Sequence, residues 1–337
     1  MTDKTFTNDI AISSRIRLAR NIENTLFPQM ASEADLTKVE NAVTEALRSE
    51  KLAGEKYRFY EIRNMTETQR TSLAESRLIS SELGKYDHSG AIINDSNSVS
   101  VMINEEDHIR IQSVKPGFDL FAAYRVADRI DDIIGESVNY AFSEKYGYLT
   151  SCPTNLGTGM RAGVMVHIPA IVMKNSLAGI ISVAQSSGLE IRGAYGEGTA
   201  AMGDLFQISN RVSLGKSEIE IVQSIHEFTK EIIKTERAAR NELLLLQEDD
   251  IKNEVQRAYG ILTNAHMIST EEAMKLLSLL RLGTDVRLIE NVSPKVVDKL
   301  MTEIQPATLT LRYRIRTDAR SRDLLRAQHI KTALGDL

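Results

Sequence analysis

Apolar residues recur along the chain at two spacings, every second position in short runs and every third or fourth in longer ones. The first spacing is typical of strands and the second of helices. In the segment 13–20, alternation places Arg15 and Arg17 on one side of an extended run and Ile16 and Leu18 on the other. The same criteria predict strands at Tyr57–Ile62, Ala91–Ile93, Val99–Ile103, Leu189–Arg192 and Leu205–Ser209, and helices at Ser32–Leu52, Thr66–Ile79, Phe118–Glu136 and Ile171–Ser186.

The second half of the chain is predicted to be mainly helical. Ser217 and Glu220 have the spacing of a capping box, which opens a helix that runs to about Gln247. The acidic cluster 248–250 follows, and short amphipathic helices after it indicate a small bundle. Their predicted ranges are Ile251–Ala265, Ser269–Leu282, a helix that begins at Ser293-Pro294 and ends at Pro306, and Arg320–Ala333. We therefore predict an N-terminal arm over 1–12, a main domain over 13–248 and a helical C-terminal domain over 249–337.

Composition excludes several classes of function. The net charge of −5, the absence of Trp and an aromatic content of 5% argue against a nucleic-acid-binding surface. A single cysteine rules out an internal disulfide and suits a reducing compartment. The polar N-terminus has no signal core, and no run of about 18 apolar residues predicts a membrane span. We expect a cytoplasmic protein.

The only cysteine, Cys152, lies in an unusual stretch. Asn155-Leu156-Gly157-Thr158-Gly159 follows it, with little room for side chains, and then comes Arg161. One interpretation is a buried thiol beside a turn. The other is a thiolate in an electropositive pocket, with the arginine placed for an anion.

Charged residues cluster at other predicted strand ends. The run Asn104-Glu105-Glu106-Asp107 follows a strand, so these side chains either face solvent or face a cation, because burying them unpaired is costly. A second carboxylate, Glu197, lies among three glycines in a predicted mobile loop. Six arginines stand in similar places, namely Arg15, Arg17, Arg110, Arg161, Arg192 and Arg211.

This set of residues fits phosphoryl transfer to a cationic acceptor. Guanidinium groups stabilise the oxygens of a transferring phosphate and remain protonated at any working pH. Inward-facing carboxylates would repel that phosphate, so they must hold something positive, and a substrate guanidinium suits them. For Arg15 and Arg17 alone, a strand with a charged solvent face explains the pattern equally well.

Four motifs resemble the catalytic domain of the phosphagen (guanidino) kinases. They are SSRIRLARN, NEEDHIR, CPTNLGTGMR and RGAYGEG, in that order over Ser13–Gly215. The resemblance implies an α+β fold with an antiparallel sheet flanked by helices, similar to glutamine synthetase. It also implies that ATP and Mg²⁺ are used, with the metal held mainly by ATP phosphates and by no protein ligand.

Two departures from those kinases narrow the resemblance. Phosphagen kinases have a helical domain of about 100 residues before the SSR motif, whereas the motif here begins at residue 13. A helical region over 249–337 follows the catalytic domain instead. This arrangement is similar to that of the bacterial protein-arginine kinases, and it implies protein substrates with exposed arginines, a homodimer, a role with Clp-type proteases in the stress response, and an activator protein.

The resemblance also implies roles for individual residues. Glu106 is expected to orient the acceptor guanidinium and take its proton, while Cys152 and Glu197 hold the other nitrogens. Arg77 stands where these kinases tend to have a histidine near the nucleotide, and Arg211 is a further candidate phosphate ligand. The expected ATP-binding residues are Ser13, Ser14, Arg15, Ile16, Arg17, Arg77, Arg110, Arg161, Ala162, Gly163, Val164, Met165, Arg192, Gly193, Ala194, Tyr195, Gly196 and Glu197.

The last predicted helix contains the motif Arg322-Asp323-Leu324-Leu325-Arg326-Ala327. In protein-arginine kinases an RDxxRA motif forms a phosphoarginine pocket that regulates the enzyme. Arg322 and Arg326 are four residues apart, so on a helix they share a face and could grip one phosphoryl group. A solvated basic helix is the alternative.

Three hypotheses for the function follow. The first is a protein-arginine kinase, and the second is a kinase for free arginine or another small guanidine. The third is a phosphoarginine-reading adaptor with little catalysis. The apolar residues of 249–337, Leu276 and Leu280 among them, form either a homodimer contact or an ordinary bundle core.

Overall fold

The computed structural model describes residues 9–49, 56–83, 88–194, 201–314 and 318–335. Within these ranges the chain forms strands and helices that alternate up to residue 217 and helices alone from there on. The strands are β1 (Ala11–Arg20), β2 (Tyr57–Glu61), β3 (Gly90–Asn94), β4 (Val99–Ile103), β5 (Ile109–Pro116), β6 (Phe142–Ser143), β7 (Gly147–Tyr148), β8 (Met160–His167), β9 (Leu189–Gly193) and β10 (Leu205–Asn210).

The helices include one that is much longer than the rest. They are α1 (Glu33–Ser49), α2 (Glu67–Glu75), α3 (Leu120–Gly135), α4 (Pro169–Met173), α5 (Leu177–Ser186), α6 (Glu218–Asn264), α7 (Thr270–Asp285), α8 (Pro294–Glu303), α9 (Pro306–Tyr313) and α10 (Ala319–Gly335). Gln247 has non-helical backbone angles, φ −143° and ψ 37°, so α6 is two helices joined at a kink. The predicted helix end near Gln247 is this kink.

Eight strands form one sheet in the order β2-β3-β4-β5-β1-β8-β10-β9, and β6 pairs with β7 in a small hairpin. The pairs β2–β3, β3–β4, β4–β5 and β1–β5 are antiparallel. Alternation along β1 follows the prediction, because Ile16 and Leu18 are buried and Arg15 and Arg17 are only half-buried. The sheet with helices beside it confirms the predicted α+β class.

Three elements differ from the sequence-based expectation. The predicted helix Ile171–Ser186 is divided into α4 and α5, with a break between Met173 and Leu177. The run Ile109–Pro116, which the pattern left unassigned, is strand β5, with Ile109 and Ile111 buried on one face and Arg110 and Gln112 on the other. Pro306 was expected to end a helix, but it occupies the first turn of α9. Proline is well placed there because the first turn needs no backbone donor.

The chain divides into two compact units. Unit A comprises residues 13–164 and 209–227, and unit B comprises 1–12, 165–208 and 228–337. A core cluster of unit A, which includes Ile62, Leu83 and Met102, lies beneath β3 and β4. The core of unit B is built by α7, α8 and α10 with the ends of β8, β9 and β10. The predicted boundary at residue 248 stays a prediction.

Candidate active site

Four arginines of unit A, Arg15, Arg17, Arg110 and Arg161, form what we call the arginine cluster. In the antiparallel pair β1–β5, Arg17 is opposite Gln112 and Ala19 is opposite Arg110. Directly paired residues share a face of the sheet, as do alternate residues of one strand, so Arg15, Arg17 and Arg110 lie on one face. The register of a single strand pair therefore brings distant arginines together.

Arg17 is the member of the arginine cluster with the least favourable electrostatic surroundings. Burial, followed by the positive charges of Arg15, Arg110 and Arg161, holds the pKa of Arg17 well below its ordinary value, and the charge of Glu105 opposes this. The Arg17 Nε is buried and has no hydrogen-bond partner in the described part of the chain. A buried donor among like charges is costly unless an anion binds, so these residues fit a polyphosphate.

Glu105 holds one member of the cluster in place. Its side chain is buried, and its Oε2 accepts a bond of 2.7 Å from Arg110 Nη1. The hydroxyl of Ser80 donates to the other carboxylate oxygen. Of the two alternatives for this acidic run, solvent or a cation, Glu105 therefore faces a cation. Glu105 therefore positions the guanidinium of Arg110.

Glu106 and Cys152 are brought together by the residues beside them. Ser151 Oγ donates to the carbonyl oxygen of Glu106 at 2.7 Å, and Ser151 N–H donates to Asp107 Oδ1 at 2.7 Å. Asn21 Nδ2 donates to the same Asp107 oxygen at 2.7 Å. We call the turn 104–108 and the segment 151–157 together the acceptor frame.

The two reactive groups of the acceptor frame remain accessible. Burial, followed by the charge of Asp107, raises the pKa of Glu106, while Arg110 opposes the rise. A raised pKa suits a group that must accept and later release a proton. Cys152 is half-buried, with its Sγ 3.0 Å from Thr154 Oγ1, so it is not the fully buried thiol that the sequence left open.

Two glycines allow the backbone of this region to pack closely. Gly157 has φ +100°, and a Cβ there would lie 2.6 Å from the Cα of Leu214. Gly159 has φ +62°, and a Cβ there would lie 2.5 Å from the carbonyl oxygen of Ala19. Any side chain at either position would push the segment away from its neighbours, which explains the small residues of the motif.

Arg77 approaches the face of the arginine cluster through its backbone. Its carbonyl oxygen accepts a bond of 2.6 Å from Gln112, the residue opposite Arg17. Arg77 also has φ +60°, which is uncommon for a residue with a side chain. The segment 77–80 is thus fixed at two points, by Gln112 and by the Ser80–Glu105 bond.

Two family models cover most of the chain. The ATP:guanido phosphotransferase C-terminal catalytic domain matches residues 38–239. The protein-arginine kinase McsB C-terminal domain matches residues 248–337. The chain belongs to the ATP:guanido phosphotransferase family. Membership makes it a phosphotransferase that uses ATP, and it confirms the resemblance found in the four motifs.

Curated relatives match almost the full chain. A protein-arginine kinase of Caldanaerobacter subterraneus is 44% identical over 332 residues, which are 98% of this chain and 98% of that protein. A protein-arginine kinase of Bacillus subtilis is 40% identical over 328 residues, 97% of this chain and 90% of that protein. The likeness therefore includes the helical region after residue 248.

Solved structures of the family match the fold. The duplicated taurocyamine kinase of Schistosoma mansoni has a TM-score of 0.62 and 33% identity, over 70% of this chain and 34% of that chain. A lombricine kinase has a TM-score of 0.62 and 29% identity, over 71% of this chain and 69% of that chain. These kinases confirm the predicted fold type.

Several predicted ATP-binding residues of this phosphotransferase have side chains occupied by packing. Ser14 Oγ donates to the Gly117 carbonyl and accepts from Asp119 N–H, at 2.9 and 3.0 Å. Met165 and Ala194 belong to the buried core of unit B. These residues could contact a nucleotide only through their backbone. The same holds for the buried strand residues Ile16, Ala162, Gly163 and Val164, whereas Ser13 and Gly193 are half-buried.

The remaining predicted site residues differ in exposure and in their partners. Arg192, in unit B, is largely exposed and pairs with Glu190 at 2.9 Å. Arg211 is exposed. Arg161 Nη2 donates to Ser209 Oγ at 3.2 Å within unit A, which fixes it beside β10. The predicted residues Tyr195, Gly196 and Glu197 fall outside the described residues.

The RDxxRA motif lies on α10, where its two arginines differ. Arg326 is buried, and it donates to the carbonyl oxygens of Ile304 and Ile268 at 3.0 and 2.9 Å and to the Asp323 carboxylate. Arg322 is half-buried. Arg326 thus ties α10 to two neighbouring chain segments. Asp323 is half-buried too, as are Leu324 and Leu325, and Ala327 is buried in the core.

Sequence reasoning missed the residues that assemble the acceptor frame. Asp107 appeared only as part of an acidic run, and Ser151 and Asn21 drew no attention. The signal was present in the motifs themselves, because Asn21 ends SSRIRLARN, Asp107 lies in NEEDHIR and Ser151 precedes CPTN. Their hydrogen bonds join three motifs.

Neither a metal cluster nor a membrane-spanning helix is found in the described ranges. No group of three or more His, Cys, Asp or Glu residues there could hold a metal ion. No helix in those ranges is both long and apolar enough to cross a bilayer.

Proposed function

We propose that this phosphotransferase transfers the γ-phosphoryl group of ATP to an arginine side chain of a protein. The observation that carries the proposal is the presence, within unit A, of a cluster of four arginines and of a frame that holds a carboxylate and a thiol. The positive arginine cluster suits the negative polyphosphate of ATP, and the carboxylate and thiol of the acceptor frame suit a positive guanidinium.

On the donor side, the arginine cluster binds and orients the phosphates of ATP. The forked guanidinium donors of Arg15, Arg17 and Arg161 satisfy phosphate oxygens, and Arg17 Nε gains the partner it lacks. Arg110, held by Glu105, completes the charge that builds up in the transition state. Mg²⁺ bound to the phosphates would neutralise further charge.

On the acceptor side, Glu106 orients the guanidinium and receives its proton. A free guanidinium has a pKa of about 12.5–13.8, so a carboxylate cannot remove its proton before attack. The proton leaves as the terminal nitrogen forms its bond to phosphorus and the bond to the ADP oxygen breaks. Cys152, half-buried beside Glu106, supplies a second acceptor for the same group. We assign Glu197 as a third.

The names and coverage of the relatives support a protein-borne arginine as acceptor. Proteins that match 97–98% of this chain are named protein-arginine kinase. A kinase for a free small guanidine is the second candidate, because the matched lombricine kinase shares the catalytic fold. The two differ in whether free arginine is consumed.

The helical region carries the regulatory part of the proposal. We assign the segment Arg322–Ala327 as a phosphoarginine pocket, in which half-buried Arg322 contacts the phosphoryl group and buried Arg326 positions α10. An adaptor function could coexist with catalysis through this pocket. We also propose a cytoplasmic homodimer that marks proteins for Clp-type proteolysis under stress, with an activator protein.

The test is phosphoarginine formation on an unfolded protein, β-casein, incubated with the full chain and Mg·ATP. Mass spectrometry should find phosphoarginine with wild type and with the control Glu45→Gln, whose carboxylate is exposed on α1. Glu106→Gln should reduce the rate by about 10²–10⁴-fold, because a general base is lost. Undiminished product with Glu106→Gln, or consumption of free arginine in place of β-casein, would contradict the proposal.

A further inference from the structure

Large apolar side chains are exposed in pairs at three places in unit A. Leu26 and Met30 are one pair, Phe142 and Tyr146 a second, and Val212 and Leu214 a third, each residue being between 43% and 75% exposed. Single exposed apolar residues are ordinary on a protein surface, but a cluster of them marks a contact surface. Whether these three pairs form one cluster depends on what holds their segments.

The first pair is fixed to the acceptor frame beside Glu106. Gln29 Nε2, between the two apolar residues in sequence, donates to the Glu106 carbonyl oxygen at 2.7 Å. This is the same oxygen that accepts from Ser151. His108 Nε2 lies 3.0 Å from the Leu26 carbonyl oxygen, and His108 Nδ1 accepts from Ile22 N–H, so Nε2 is the donor.

The second pair lies on the β6–β7 hairpin, which is bonded to the other end of the frame. Gly157 N–H donates to the Tyr146 carbonyl oxygen at 2.9 Å, and Tyr148 N–H donates to the Gly157 carbonyl oxygen at 2.8 Å. The ring of Phe142 packs edge-on against Tyr148 at 5.3 Å between centroids. The exposed rings thus belong to a hairpin anchored at Gly157.

The third pair flanks Ser213, which is also bonded to the frame. Ser213 Oγ donates to the carbonyl oxygens of Leu156 and Thr154, at 2.8 and 3.3 Å. The Cα of Leu214 lies so close to Gly157 that a Cβ at Gly157 would be 2.6 Å away. The segments that carry the three apolar pairs are therefore all hydrogen-bonded to the acceptor frame.

We infer that these pairs form an apolar rim that binds the residues flanking the target arginine in an extended, apolar-rich protein segment. The inference rests on the proposed function and names its substrate class. A free arginine has no flanking side chains and gains nothing from such a rim. Apolar residues next to an arginine are mostly buried in folded proteins, so the rim favours segments that are unfolded or locally opened.

Charge and apolar character are divided between the frame and the rim. The frame presents Glu106 and Cys152 to the arginine itself, whereas the rim offers only apolar surface on either side. Each side chain buried against the rim contributes in proportion to the apolar area removed from water. The rim should therefore act on substrate affinity and leave the phosphoryl-transfer step unchanged.

The experiment compares two peptides, each with one arginine, as substrates of the full-length enzyme. One has the sequence Gly-Leu-Phe-Arg-Ile-Leu-Gly and the other Gly-Ser-Gln-Arg-Thr-Ser-Gly, both blocked at their ends. Phosphoarginine is quantified by mass spectrometry over a range of peptide concentrations. We expect a kcat/KM at least about tenfold higher for the apolar peptide, mainly through a lower KM.

One variant from each pair tests the rim, namely Leu26→Ser, Phe142→Ser and Val212→Ser. Each should raise KM for the apolar peptide by about three- to tenfold, with kcat and the KM for ATP unchanged. The matched control is Leu245→Ser, which removes an 85% exposed apolar side chain of α6 in unit B and should change neither constant. Because the substituted residues are exposed, all four variants should keep the wild-type melting temperature.

The possible outcomes distinguish a failure of the apolar rim from a failure of the proposed kinase activity. Phosphoarginine on neither peptide, nor on β-casein, contradicts the proposed function. Equal kcat/KM for the two peptides contradicts the rim while the kinase activity stands. Rim variants that turn a dimer into a monomer in light scattering, with unchanged KM for the apolar peptide, would show a self-association surface and also overturn the rim.

Discussion

Arg17 and Arg20 lie three residues apart on β1, and each has a buried Nε, yet their surroundings are opposite. Arg17 sits among Arg15, Arg110 and Arg161, and burial together with these charges lowers its pKa. For Arg20, burial is the largest single effect and lowers the pKa, but the charges of Asp131, Tyr148 and Glu218 and the hydrogen bond to Asp131 together outweigh it, so the pKa lies above its ordinary value. The donors of Arg20 are satisfied by Asp131 and by the carbonyls of Ala19 and Thr158.

The difference teaches that burial alone does not identify a functional arginine. Arg20 also lies over the ring of Tyr148 at 3.6 Å and pairs with Glu218 at 3.4 Å, so its charge is compensated by the fold. In unit B, Arg281 is compensated similarly by Asp285 and Asp298. Arg17, in contrast, has a buried Nε with no hydrogen-bond partner among the described residues.

The largest effect is expected on stability, when Arg20 loses its partner Asp131. Asp131→Ala should lower the free energy of unfolding by about 3–5 kcal/mol, because it removes the carboxylate that accepts two hydrogen bonds from the buried Arg20 and leaves the longer ion pair with Glu218. Urea unfolding measures the loss. The neighbouring Asp132→Ala, on the exposed side of α3, should change it by less than about 0.5 kcal/mol. Equal stability of Asp131→Ala and Asp132→Ala would show that Asp131 does not compensate Arg20.

The second prediction concerns the uncompensated arginine. Arg17→Met should lower kcat/KM for phosphoarginine formation by about 10²–10³-fold, because one donor to the transferring phosphate is lost. It should leave the free energy of unfolding equal or higher, since a desolvated and repelled charge disappears. Arg58→Met, which removes an exposed arginine of β2, is the control for both measurements. A large loss of stability in Arg17→Met would show that Arg17, like Arg20, stabilises the fold, and would contradict the prediction.

The two arginines of the RDxxRA motif allow the same comparison within α10. Arg326→Ala should cost about 3 kcal/mol of stability, since it deletes charged hydrogen bonds to Ile304, Ile268 and Asp323. Arg322→Ala should keep the melting temperature and weaken phosphoarginine binding, measured by calorimetry. If Arg322→Ala binds phosphoarginine as wild type does, the pocket assignment fails, whatever Arg326→Ala does.

The smallest expected effect is on the pH profile of the acceptor site. Glu106 acts as a carboxylate, so kcat/KM falls as pH drops through its pKa, and the raised pKa places this fall above the usual glutamate range. Asp107→Asn removes a negative charge that contributes to the rise and keeps Oδ1 as acceptor for Asn21 and Ser151. The acid limb should move to lower pH, by less than about one unit. A shift to higher pH would have the wrong sign.

The sequence by itself determined the kinds of element and the chemistry they carry. Alternation along β1 separated Arg15 and Arg17 from Ile16 and Leu18, and the four motifs identified the family, because both signals are local in the chain. It also indicated close packing around Gly157 and Gly159, since only glycine fits where the backbone turns with positive φ.

Only the tertiary structure decided which charges face each other. The register of β1 against β5 brought Arg110 beside Arg17, and bonds from Ser151 and Asn21 to Asp107 joined segments more than 40 residues apart. Likewise, burial of Arg20 and Arg326 against compensating acceptors set them apart from the arginine cluster. An arginine looks the same in any sequence, and its role depends on desolvation and on neighbours that are distant along the chain.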